Sequence, residues 1–134
     1  MAGIAAMILL DTCALLWIVL EPRRLSTRAQ KLIDTSRGKL AVSAISAFEI
    51  ALKVQKRKLT LPLPADEWWK GALAHHGIEC IPVSAEIALS SVALSQHHHD
   101  PADRIIIATA AHHAAAIVIS DGVFKNYEGV RVEW

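Results

Sequence analysis

Cysteine is scarce in this chain, with only Cys13 and Cys80 among 134 residues. They lie far apart with no C-x-x-C, which argues against a zinc site and a disulfide framework, and neither has a histidine base near it in sequence. Both are expected to be buried free thiols in a reducing compartment. The six glycines never form G-x-G, which excludes a dinucleotide-binding fingerprint. An excess of one charge is missing too: fourteen Lys and Arg against thirteen Asp and Glu leave a net +1. Any contact with nucleic acid must then rest on a local patch. The first apolar run, MAGIAAMILLDTCALLWIVL, lacks the basic residues that open a secretory signal. As a membrane span it would bury Asp11 near its centre, at a cost of roughly 2.5–3.5 kcal/mol. The stretch 105–120 is short for a span and carries His112 and His113. No low-complexity tract or internal repeat is visible. The expectation is a cytoplasmic protein with no membrane segment.

What the chain has in quantity is apolar residues, 53% of the total with 20% charged, which excludes intrinsic disorder. At this length one domain over residues 1–134 is expected, burying about two-thirds of the unfolded surface. Short apolar runs alternate with longer helical stretches, the pattern of an α/β/α sandwich around a mostly parallel sheet. Strands are expected at 7–10, 40–42, 78–83 and 117–120, with a fifth edge strand at 130–132. Helices are expected from Asp11 through Trp17, over 26–36, from Ser43 or Ser46 onward, over 65–76 and 85–95, and for about fifteen residues after Asp100, with Pro101 at its first position.

The acids fall at telling places. MILL runs into Asp11, and IVIS runs into Asp121. Glu49 lies in a first helical turn if Ser46 is the cap, and Asp103 does if Asp100 is the cap. In a parallel sheet the strand C-termini and the following helix N-termini share one rim, where α/β folds bind ligands. Four carboxylates converging there repel one another unless a cation neutralises them, and oxygen donors select Mg²⁺ or Mn²⁺. Such a site suits phosphodiester hydrolysis.

Each acid also has a structural reading. Ser46 and Glu49 fit a capping box, and Glu49 precedes Lys53 by four residues. Asp103 suits a helix dipole or a pair with Arg104. Asp11 and Asp121 suit caps, and Asp100 is read as a cap and not as a ligand. The histidines at 97–99 are read as a solvated triplet, because consecutive residues on a regular element cannot all face one ion. Lys53, Lys56 and Arg57 share a helix face that serves either as a phosphate-backbone patch or as a solvated surface. Trp68 and Trp69 are read as core or interface anchors.

Four segments in order, MILLDTCALLW, VSAISAFEIALKVQKRKLTLPLP, HDPADRIIIATA and VISDGVFKNY, resemble PIN-domain ribonuclease toxins of the VapC type, over nearly the whole chain. The resemblance implies a three-layer α/β/α PIN-like fold of about five strands. It also implies a Mg²⁺- or Mn²⁺-dependent endoribonuclease of a type II toxin–antitoxin pair, with RNA as substrate, a cognate antitoxin as partner, and a homodimer. Asp11, Glu49, Asp103 and Asp121 match the family's metal-binding acids, Asp121 often as a weaker or more distant ligand, and Thr12 and Ser120 match hydroxyl residues beside them. The implied chemistry is in-line attack of a metal-activated water on phosphorus, with no covalent intermediate. Phe48 stands where many relatives have Trp, and Arg57-Lys58-Leu59 replaces a common Gly-Lys-Leu. Met7 sits where relatives usually begin, so residues 1–6 read as an extension or a misplaced start.

Two other classes compete. A phosphoacceptor domain also places Asp at strand ends, but the hydrolase version needs a second Asp where Cys13 stands, and a receiver needs an acidic pair and a strand-terminal Lys that are not evident. A domain that binds RNA or a partner without cleaving keeps the same fold, and the presence of all four acids gives no reason to prefer it.

Overall fold

The computed structural model describes residues 7–94 and 100–118 and the backbone of 131–133. Five strands form one parallel sheet: β1 (Ile8–Leu10), β2 (Leu40–Ser43), β3 (Glu79–Ile81), β4 (Ala116–Val118) and β5 (Arg131–Glu133), in the order β3-β2-β1-β4-β5. The helices are α1 (Thr12–Leu20), α2 (Thr27–Thr35), α3 (Ala44–Gln55), α4 (Ala65–His76), α5 (Ala85–Ala93) and α6 (Pro101–His112), with a 3₁₀ turn at Pro22–Arg24. The expected architecture and the edge position of the last strand are borne out. Residues 1–6, the histidines at 97–99, Ser120 and Asp121 lie outside the described residues.

β1 is central because it is apolar on both faces. Ile8 pairs with Leu40 on one side and with Ala116 on the other, and all three of its residues are buried. Alternation then divides the core. Ile8 and Leu10, with Leu40, Val42 and Val118, pack under Leu15 of α1, Ile33 of α2, Ile50 of α3 and Trp68 of α4. Leu9, Ala41 and Ile117 face Ile106, Ile107 and Ala110 of α6. Each fully buried Leu or Ile contributes about 1.5–3 kcal/mol. Trp68 is a core anchor as expected, and Trp69 is a partly buried neighbour of the same cluster.

Three expectations are corrected. Both cysteines are free, as expected, but exposed: Cys13 stands on the first turn of α1 at the sheet rim, and Cys80 lies on β3, an edge strand. Arg57 also stands where the common family pattern has glycine. α3 ends at Gln55, with Lys56 as its C-cap, and Arg57 adopts the left-handed conformation that glycine supplies in the common pattern (φ 60°). The amide of Arg57 donates to Val54 O and that of Lys58 to Lys53 O, a Schellman closure built on arginine. Arg57 therefore leaves the helix face of Lys53, while Lys56, the C-cap whose amide still donates to Leu52 O, lies three residues along that face. The last helix has twelve residues, shorter than expected, because Ala114 turns to positive φ before β4.

Candidate metal centre

The strands run parallel, so the N-termini of α1, α3 and α6 all lie at the C-terminal rim of the sheet. Asp11 follows β1 directly and caps α1. Its carboxylate accepts from the Ala14 amide at 2.7 Å, and its own amide donates to Val118 O at the end of β4 at 3.4 Å. The carboxylate is held inward, 6% exposed. Burial pushes its pKa up to about 7; the Ala14 amide opposes the rise, Asp103 and Glu49 reinforce it, and Lys53 opposes it.

Glu49 reaches the rim by a route different from the expected one. The cap of α3 is Ser43, whose hydroxyl accepts from the Ile45 amide at 3.1 Å. Ser46 is therefore inside the helix, fully buried, and the capping box does not form. Its hydroxyl instead meets the Thr12 hydroxyl at 2.8 Å, and Thr12 donates onward to Glu49 Oε1. Glu49 sits in the second turn, and side chains of a helix lean toward its N-terminus, which carries the carboxylate back to the rim. The Ser46–Thr12–Glu49 chain ties α3 to α1 and fixes one Glu49 oxygen.

α6 supplies two acids. Asp100 caps the helix by accepting from the Ala102 amide at 2.9 Å, as expected. It also joins Glu49 and Asp103 in a cluster whose carboxylate oxygens all lie within 4.8 Å of one another. The D-P-x-D spacing accounts for this proximity, since a cap and the third helical residue lie on one side of the first turn. The start of α6 is clamped by Arg104, a buried residue whose guanidinium donates to Ser91 O at 3.1 Å, Val92 O at 3.3 Å and Leu94 O at 2.7 Å. These carbonyls close α5, where a cation also suits the helix dipole. No local pattern around Arg104 signals that clamp.

The donor set is all oxygen and strongly anionic, and the Asp11 carboxyl beside it is pushed toward protonation, first by burial and then by the neighbouring acids. That set fits a hard divalent cation. The Cys13 thiol at the rim is pushed up, first by burial and then by the Asp11 carboxylate, so it stays protonated and offers no nucleophile.

Fold and site together define a parallel α/β protein with a carboxylate cluster at the strand C-termini whose donor set fits a divalent cation. A family model described as the PIN domain matches residues 8–130, and the chain belongs to that family. Ribonuclease VapC22 of Mycobacterium tuberculosis is 35% identical over 125 residues, covering 92% of this chain and 94% of that protein. A toxin–antitoxin complex from Klebsiella pneumoniae matches with TM-score 0.63 at 25% identity, over 94% of this chain and 95% of that one. VapBC2 from Rickettsia felis, bound to a promoter DNA fragment, shares the fold with TM-score 0.69 at 17% identity, over 95% and 98% of the two chains. No helix among the described residues is long and apolar enough to cross a membrane.

Proposed function

We propose that this chain is a Mg²⁺- or Mn²⁺-dependent endoribonuclease, the cytoplasmic toxin of a type II toxin–antitoxin pair, dimeric and restrained by a cognate antitoxin. The observation that carries this reading is the convergence of Glu49, Asp100 and Asp103 beside buried Asp11. The 35% identity to Ribonuclease VapC22 supports the choice of RNA as substrate.

Glu49, Asp103 and Asp100 would hold the cation, with the buried Asp11 carboxyl beside them; the family resemblance assigns Asp121 and Ser120 to the same acidic set. When bound, the cation supplies Lewis-acid polarisation of a phosphodiester and a lowered pKa for the attacking water. Thr12 holds one Glu49 oxygen and leaves the other for the ion. A cation held there would favour the ionised form of Asp11, whose pKa of about 7 is set by burial and by the neighbouring acids. Lys53, Lys56 and Arg57 lead RNA toward the rim from the end of α3.

The test is incubation of antitoxin-free protein with mixed RNA in Mn²⁺ or Mg²⁺, then in EDTA, with Glu49→Gln alongside. Cleavage that requires the metal and disappears in the variant is the expected result. Intact RNA with metal-loaded, folded protein across a broad substrate panel favours the non-cleaving binding domain, and labelling by acetyl phosphate favours a phosphoacceptor.

A further inference from the structure

The basic residues at the end of α3 are of two kinds. Lys53 stands four positions after Glu49, one turn along the same face. It is half-buried and lies within electrostatic reach of Asp11. Lys56 and Arg57 are exposed, and the Schellman closure turns the chain away from the helix at that point. Among the described residues the Lys53 ammonium makes no ion pair and no hydrogen bond. It is a positive charge one helical turn from Glu49 of the acidic cluster, with no carboxylate paired to it among the described residues.

We propose that Lys53 binds the phosphate being cleaved, while Lys56 and Arg57 hold the RNA backbone further out; this rests on the nuclease reading above. A site of several carboxylates repels a phosphodiester even when one divalent ion is present. A fixed cation beside the ion offsets that repulsion where charge grows on the phosphoryl oxygens during attack, which is where a preorganised charge has most effect on rate. The compact ammonium of lysine suits one non-bridging oxygen. The exposed pair contributes through counterion release, which is independent of the chemical step and sensitive to salt.

The two roles separate in kinetics and in metal binding. With cleavable RNA and saturating Mn²⁺, Lys53→Met is expected to lower kcat about 10²-fold, the effect typical of losing one transition-state charge partner. Lys56→Ala is expected to raise KM and to reduce the salt slope by about one unit while kcat holds. A Mn²⁺ titration without RNA gives an independent readout. Removing a like charge beside a cation site tightens it, so Lys53→Met should bind Mn²⁺ about three- to tenfold more tightly, and Lys56→Ala should not. A merely structural role for Lys53 would weaken Mn²⁺ binding instead, and Lys53→Arg should return both quantities toward wild type. Unchanged or weaker Mn²⁺ binding by folded Lys53→Met, or an unchanged kcat, overturns the assignment. Cleavage that survives Glu49→Gln breaks the nuclease reading itself, an outcome separate from the Mn²⁺ titration of Lys53→Met.

Discussion

Asp11 and Asp100 do the same local job, each capping a helix at the sheet rim with a carboxylate oxygen on a backbone amide. Yet Asp11 is 6% exposed, while Asp100 stands in solvent. The difference comes from what lies behind them. Asp11 follows the central strand, between β2 and β4, and the sheet closes over it. Asp100 begins α6 at the outer edge of the site. One half of the centre is thus grown from the core, where burial raises the carboxyl pKa and the Ser46–Thr12–Glu49 chain fixes geometry. The other half is a solvated helix start held in place through Arg104. The buried half should dominate function and carry a cost in stability, and the exposed half should tune affinity.

The largest expected effect is therefore on the buried side. Asp11→Asn keeps the cap, since Asn caps as well as Asp, but removes the charge; RNA cleavage should fall by about 10³-fold or more, of the order seen when one electrostatic contact to the transition state is lost. The same substitution should stabilise the metal-free protein at neutral pH. A carboxyl whose folded pKa is raised from 3.8 to about 7 favours folding fully below pH 4, and that contribution is lost as pH rises toward 7. The wild-type protein in EDTA should then lose on the order of a few kcal/mol between about pH 4 and 7 through this group. Thermal melts against pH should show a flatter profile for Asp11→Asn, and a profile as steep as wild type would place the slope elsewhere.

Ser46→Ala comes next. It leaves the Thr12 hydroxyl with Glu49 but removes its second partner, and loss of a ligand-orienting group typically costs 10–100-fold in metal affinity or activity. Mn²⁺ titration and RNA cleavage should both report it, while the melting temperature moves less than for a core truncation. On the exposed side, Asp100→Asn retains the cap and should weaken Mn²⁺ binding less than tenfold, a smaller loss than any on the buried half. Equal losses from Asp100→Asn and Asp11→Asn would erase the contrast between the two halves. The smallest change is outside the acids: Arg57→Gly removes a side chain from left-handed backbone and should stabilise the protein by about 1 kcal/mol, read from denaturant midpoints.

Much of the rim was legible before the fold was known. Strands ending in acids, and the Asp100-Pro101 cap, are local signals, and β1, α6 and the mostly parallel sheet follow from apolar runs and their spacing. The role of Ser46 was not legible. S-x-x-E at a helix start reads as a capping box, and only the choice of Ser43 as the cap, one turn earlier, frees Ser46 to face Thr12 across 34 residues of sequence. Cys13 and Cys80 were misjudged for a similar reason, because the general burial preference of cysteine gives way to a rim turn and an edge strand.

The sequence by itself determined which segments become strands and helices, and it put an acid at the end of β1 and at the start of α6, because those choices depend on periodicity, caps and side-chain type within a few residues. The tertiary structure decided that Glu49 and Asp103 meet Asp100 within 4.8 Å, that Asp11 is buried enough to titrate near 7, and that Arg104 clamps α5. Those outcomes depend on strand order and helix crossing, which set distances and desolvation between residues that no local pattern relates.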